Sequence, residues 1–427
     1  MVALVASNGW FLFQMDLHNA FLQGDLFEEV YMTLPPGFGS QGENKVCRLL
    51  KSLYGLKPAS RQWNLKLTTA LIQSGFTQSK LDYSLFTKKD TTGGMVIILV
   101  YVDDLLITGN NEVLIQEAKD ILHHNFKMKN LGELRYFLGI EFARSKKGIL
   151  MNERRYALEL VAECGLSGGK VTTTPLEQNQ KLTSLEYDKQ FNLTNDAELD
   201  DRRVYQRLIG RLLYLAMTRP DISFAVQHLS QFMHAPKKSH YDAALHVVRY
   251  IKGQPGLGLL MSSKKTGKID AFCNADWASC SLSRRSVTGF GIKFGESLIS
   301  WRSKKQSTVS RSSAEAEYRS MATTVAELVW LQGLLQELGA SVELPMELHC
   351  DNKAAMQIAS NPMYHEQTKH IEIDCHFIRE RQDGMVKTEY IASKDQMADI
   401  FTKALGKQLH SDMLFKLGML DIFHHPT

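Results

Sequence analysis

"LVYVDDLLIT", residues Leu99 to Thr108, sets two adjacent carboxylates, Asp103 and Asp104, inside an apolar run. An unpaired buried charge is costly, and neighbouring acids also repel each other, so the stretch predicts a cationic partner. The flanking apolar residues read as strands Met95 to Val102 and Leu105 to Thr108, joined by a tight turn that carries both acids. A second apolar run, "WFLFQMDLHNAF" (Trp10 to Phe21), ends on a single carboxylate, Asp16. One single and one paired carboxylate at strand ends make a hard-oxygen site suited to Mg²⁺, which takes its remaining ligands from water and phosphates.

A chain of 427 residues exceeds what one hydrophobic core usually supports, and 44% hydrophobic content fills two or three domains. The net charge of +4 and pI near 8.5 permit nucleic acid binding without demanding it. Six cysteines form no CxxC pair, which speaks against a zinc knuckle and against a disulfide framework. No apolar run reaches the roughly 18 residues of a membrane helix and no basic n-region opens the chain, so a soluble intracellular protein is expected. Residues 1–171 alternate strand-like runs with helical patterns, notably Arg61 to Ser74. The polar "TTTPLEQNQKLTS" opens a linker or long surface loop, Thr172 to Arg203, before three helices that end residues 172–263. The third of these takes Ser239 as N-cap and Gly253 as terminator. Residues 264–427 read as a second α/β domain, with strands Ile269 to Cys273, Val287 to Phe294 and Leu298 to Ser303 before a long helix, Ser312 to Leu338. The expected fold class is α/β (α+β) and multidomain.

The second domain has its own acids. "IDAFCNADWAS", "SSAEAEYRSMA", "LHCDNKAAMQIA" and "DQMADIFTKAL" offer polar ligands after a first strand, on a helix, after a later strand and on a final helix. Carboxylates converging from such elements suit two-metal cleavage of a phosphodiester. Helical spacing puts Glu317 on one face with Met321 and Leu328, whereas Glu315 shares a face with Arg319. Asp351 follows strand Met346 to Cys350, and Asp399 lies in the last helix. At the first position stands Asn274, whose amide oxygen coordinates weakly and carries no charge; Asp276, two residues on, shares its strand face. Basic residues crowd the region between first strand and long helix, Lys304 and Lys305 among them, beside Trp301. His365, His370 and His376 fit no tetrahedral pattern.

These motifs resemble copia-type LTR retrotransposon Pol polyproteins over nearly the whole chain. The resemblance is carried by "YVDD", "QMDLHNAFLQGDLFEEVYMTLPPGF" (Gln14 to Phe38), "KSLYGLKPASRQWN" (Lys51 to Asn64) and "LGELRYFLGIE" (Leu131 to Glu141), and by the four acidic motifs above. It implies a reverse transcriptase palm over 1–171, a linker and helical thumb or connection over 172–263, and a ribonuclease H-like domain over 264–427. Asp16, Asp103 and Asp104 would bind two Mg²⁺ ions, with Mn²⁺ a substitute, and Glu317, Asp351 and Asp399 two more beside the degenerate Asn274. Phe21 would block a ribose 2′ hydroxyl, Gly55 and Lys57 would lie against template and nucleotide, and Lys304 and Lys305 against an RNA–DNA hybrid. The implied partners are an RNA template, a DNA primer, deoxynucleoside triphosphates and other polyprotein products, in a cytoplasmic particle or the nucleus. The chain departs from the family in three places. It reads "LKPASRQW" for "LKQAPRQW", which alters a loop restraint; it has Asn274 where the family reads "DADWA"; and Asp16 lies near the first residue, which reads as an N-terminally truncated fingers region. The rival expectations are a nucleic acid binding remnant without catalysis and a nuclease with the palm as support.

Overall fold

The computed structural model describes residues 1–38, 45–193, 196–360, 378, 384–421 and 423. His365, His370 and His376 lie outside them. Compactness divides the chain differently from the expected boundaries at 171 and 263. One unit is Gly9–Leu134 with Gly333–Gly339; the other is Met1–Asn8, Arg135–Gln332 and Ala340–Thr427. The reason is strand pairing: Gly148–Asn152, expected with the first domain, pairs instead with Leu257–Ser262.

The unit around Asp16 is built on a six-stranded antiparallel sheet, ordered Thr77–Gln78, Leu85–Lys89, Met95–Tyr101, Asp104–Gly109, Leu12–Leu17, Met128–Glu133. Helices Ala59–Gln73 and Glu112–Asn125 bury Trp63, Leu67, Leu114 and Leu122 against Met15, Leu17, Leu105 and Ile107. Strand alternation then turns Gln14, Asp16 and Asp104 to the other face of the sheet. Pro58, the displaced proline, stands at the N-cap of Ala59–Gln73 with φ −78°, a position its ring favours near a helix start. Asn111 caps the other helix, its side chain accepting from the amides of Val113 and Leu114.

The second unit holds two five-stranded sheets. One is antiparallel, in the order Met419–Asp421, Leu257–Ser262, Gly148–Asn152, Ile140–Ser145, Tyr136–Phe137. The other is mixed: Ser297–Lys305, Val287–Phe294, Ile269–Asp276, Met346–Cys350, Val386–Tyr390, the last three mutually parallel. Helices Arg154–Glu163, Arg202–Leu215, Ser223–Ser230 and Lys238–Gly253 share a core with Leu208, Leu212 and Val247 at its centre. Among the described residues no helix is long and apolar enough to cross a membrane.

Two expectations fail here. Thr172 to Arg203 is not a free linker. Leu176 and Leu182 enter the helical core, and Asp188 and Asp196 pair with the buried Lys237, because a buried ammonium needs carboxylates around it. Ser239 is not the N-cap either: the helix starts at Lys238, and the Ser239 hydroxyl donates to Asp196 at 2.6 Å.

His240 sets an acid limit on this packing. Its Nδ1 accepts from the Lys237 amide and its Nε2 donates to the Thr183 carbonyl, both at 3.0 Å, so the neutral ring is satisfied and burial, then the Lys237 charge, pushes its pKa down to about 4. The unfolded chain therefore takes up a proton that the folded chain refuses. Stability is expected to fall by about 1.4 kcal/mol per pH unit from roughly 6.5 down to 4 on this account. Urea midpoints across that range check it, and His240→Gln should flatten the slope.

Two candidate acidic centres

Asp16 pairs in register with Asp104, and Asp104 with Tyr101 across the hairpin, so the turn is only Val102 and Asp103 and Asp104 already belongs to the strand. Asp16 likewise lies within its strand rather than at its end. Val102 adopts φ 53°, strained for a β-branched residue. The turn is held by the Trp63 indole, which donates to the Val102 carbonyl at 3.1 Å, and by the Leu17 amide, which donates to the Asp103 carbonyl at 2.7 Å. Burial, then the charges of Asp104 and Asp103, raise the Asp16 pKa. No lysine or arginine pairs with these three acids among the described residues. Asp103 Oδ1 is buried with no hydrogen-bond partner, and a sheltered, unpartnered oxygen close enough to Asp16 for the two charges to repel suits a divalent cation.

Two residues at this centre went unread in the sequence. The Tyr54 hydroxyl donates to Asp103 Oδ2 at 2.7 Å, and its ring meets Phe21 at 4.5 Å; burial and the bond to Asp103 push its pKa up to about 12. Gln14 Nε2 donates to Asp104 Oδ1 at 3.0 Å. Tyr54 sits inside a quoted motif, yet nothing in local spacing says that it reaches 49 positions along the chain. Phe21 is half-buried on the short helix Ala20–Gln23. Gly55 turns at φ 93° with open space around it, and Lys57 is exposed.

The second centre lies where the parallel strands Ile269–Asp276 and Met346–Cys350 end side by side, the place at which open α/β sheets gather ligands. Glu317, Cys350 and Asp351 bring one ligand atom each within 4.8 Å of one another. Burial, with the nearby Cys350, Asp351 and Asp399, pushes the Glu317 pKa up to about 9, and its Oε2 is buried without a partner. Glu315 turns away to Arg319 at 2.8 Å. The Ser393 hydroxyl donates to Asp351 at 2.7 Å. Asp399 sits on a 3₁₀ turn, Met397–Phe401, not on the last helix, which is Lys407–Lys416.

The Asp399 carboxylate is already engaged. Asn274 Nδ2 donates to its Oδ1 and, at 2.9 Å, to the Thr402 hydroxyl, while Lys403 Nζ lies 2.9 Å from its Oδ2. A carboxylate only accepts, so the amide nitrogen must be the atom that faces it. Glu317 and Asp351 thus fit a cation and Asp399 does not. The strand does continue to Asp276, but that carboxylate lines a cavity of 480 Å³ with His228, Lys305 and Lys403. Lys304 and Lys305 diverge by strand alternation. Lys304 is exposed along a basic groove of 620 Å³ with Arg285, Arg302 and Arg319, whereas the Lys305 ammonium, which also reaches that groove, donates to Gln231 at 3.0 Å.

A family model described as reverse transcriptase (RNA-dependent DNA polymerase) matches residues 1–178. Over 424 residues, 99% of the chain, the sequence is 40% identical to the retrovirus-related Pol polyprotein from transposon RE2 of Arabidopsis thaliana, and it spans 28% of that protein's length. It is 30% identical to the putative transposon Ty5-1 protein of Saccharomyces cerevisiae over 74% of this chain and 100% of that one. A crystal structure of LC11-RNase H1 with RNA/DNA hybrid is 16% identical over 32% of this chain and 94% of that one, with a TM-score of 0.24, too slight a likeness to assign a fold by.

Proposed function

We propose, for a chain that belongs to the copia-type retrotransposon Pol polyproteins, RNA-directed DNA synthesis at Asp16, Asp103 and Asp104. The observation that carries it is the register of Asp16 with Asp104 on adjacent strands, with a sheltered oxygen of Asp103, in the turn beside them, left without a partner. The primer 3′ hydroxyl attacks the α-phosphate of a deoxynucleoside triphosphate; its oxygen gains the phosphorus bond, pyrophosphate leaves, and the proton passes to solvent. Two Mg²⁺ ions among Asp16, Asp103 and Asp104 would supply the Lewis acidity and counter-charge for this transfer. Tyr54 orients the Asp103 carboxylate by its hydroxyl, and its ring backs Phe21, whose side chain would close the space beside a nucleotide sugar. Gly55 and the exposed Lys57 lie on the same segment, available to the template and triphosphate. In this reading the Gly9–Leu134 unit is the palm, the helical core the connection, and the mixed sheet a ribonuclease H-like domain, acting inside the cell.

Primer extension on an RNA template by the purified chain with Mg²⁺ tests the proposal. Extension is the expected result; a folded chain that binds hybrid without extending it would favour the remnant instead.

A second reading has its own observation. The Asn274 amide donating to Asp399 occupies the oxygen a cation would need, so hybrid cleavage at the Glu317 centre is expected to be weak. Asn274→Asp replaces a donor by a ligand and should raise hydrolysis of the RNA strand of a hybrid by roughly 10–100-fold. Equal cleavage rates in the two proteins, read with labelled RNA, would refute the impairment.

A further inference from the structure

We propose that Asp270, Glu347 and His349 form a binding site for a borderline transition-metal ion of the Zn²⁺ class, separate from both acidic centres. Strand geometry builds it. Asp270 and Glu347 are register partners on parallel neighbouring strands, and His349, two residues beyond Glu347, emerges on the same face. Their ligand atoms lie within 4.8 Å of one another. His349 Nε2 is 3.4 Å from Asp270 Oδ1 and 3.6 Å from Glu347 Oε2. Ligands bound at about 2.0–2.1 Å around a tetrahedral Zn²⁺ stand roughly 3.3–3.5 Å apart, so these side chains need move little to bind.

Two further observations point to a cation. The Lys268 ammonium lies 3.0 Å from both carboxylates, so positive charge already collects at the point where the three ligands meet. The His349 ring is fixed by stacking on Phe272, its register partner, at 4.7 Å, as a ligand imidazole needs. The Lys268 side chain is 48% exposed, so it can swing out to solvent and leave both carboxylates to an incoming ion. The other charges nearby are already engaged. Lys293, opposite Asp270, donates to the Lys416 carbonyl, and Glu389, opposite His349, pairs with Lys387. Two carboxylates and a neutral imidazole balance a divalent charge and leave one tetrahedral position for water. The imidazole selects Zn²⁺ or Co²⁺ over Mg²⁺.

The full chain, stripped with chelator and loaded with Zn²⁺ in excess Mg²⁺, is expected to retain one equivalent after gel filtration. Co²⁺ loading should give a visible absorption band of tetrahedral type. His349→Ala and Asp270→Asn should lose both signals, Asp103→Asn and Asp351→Asn should keep them, and Lys268→Ala should bind Zn²⁺ several-fold more tightly by removing the competing ammonium. No retained equivalent and no cobalt band in the unaltered chain would overturn the site without recourse to any variant. Retention of the equivalent by a folded His349→Ala would overturn it as well.

Discussion

Asp103→Asn is expected to lower primer extension by roughly 10²–10³-fold, the scale on which one electrostatic stabiliser of a transition state is lost. The substitution keeps the shape of the side chain, and an Asn oxygen can still accept from Tyr54, which donates to Asp103 Oδ2. What disappears is one of three negative charges and the unpartnered Oδ1. Folding should survive, because Asp16 and Asp103 repel each other and their repulsion raises the Asp16 pKa. Relieving it should bring that pKa down, which carboxylate NMR titration reads without any turnover. Lost extension with a lowered Asp16 pKa and an unchanged melt is the expected triple. Undiminished extension would place the chemistry elsewhere.

Asp221→Ala should cost about 3–5 kcal/mol of stability, the penalty for leaving one partner of a buried ion pair uncompensated. The Arg219 and Asp221 side chains are 1% and 0% exposed. The guanidinium donates to Asp221 at 2.8 and 2.9 Å, and Tyr250 donates to the same carboxylate at 2.6 Å. Arg219 also donates to the Gln254 carbonyl at 3.0 Å, tying the turn after one helix to the end of another. Without Asp221 the guanidinium cannot reach water unless these helix ends part. Replacing both ions, Arg219→Met with Asp221→Leu, should recover much of the loss, since apolar groups of similar volume often match a buried pair. Urea midpoints of the three proteins test this; a loss under about 1 kcal/mol in Asp221→Ala would show that Arg219 escapes to solvent.

The strands and the long helix were readable because their apolar periodicity is local. Val287–Phe294 falls where alternation puts it, and Ser313–Glu337 within a residue of its expected ends. Element ends were less legible. Asp104 joins its strand because cross-strand pairing with Tyr101 continues to it, a contribution no single run reveals. Thr172 to Arg203 looked like a linker because its few apolar residues are spread too widely to show a period, yet Leu176 and Leu182 suffice to anchor it once a core exists.

Residue types and their spacing along the chain thus determined the family and the mixed α/β class and singled out the acids to look for, for motif and period are properties of neighbouring residues. Tertiary structure alone decided which partners those acids meet. It turned Tyr54 onto Asp103, engaged Asp399 with Asn274 and Lys403, and brought Asp270 beside His349, 79 positions away. Such contacts depend on which strands lie side by side, and strand order follows from the packing of the whole core rather than from any short stretch.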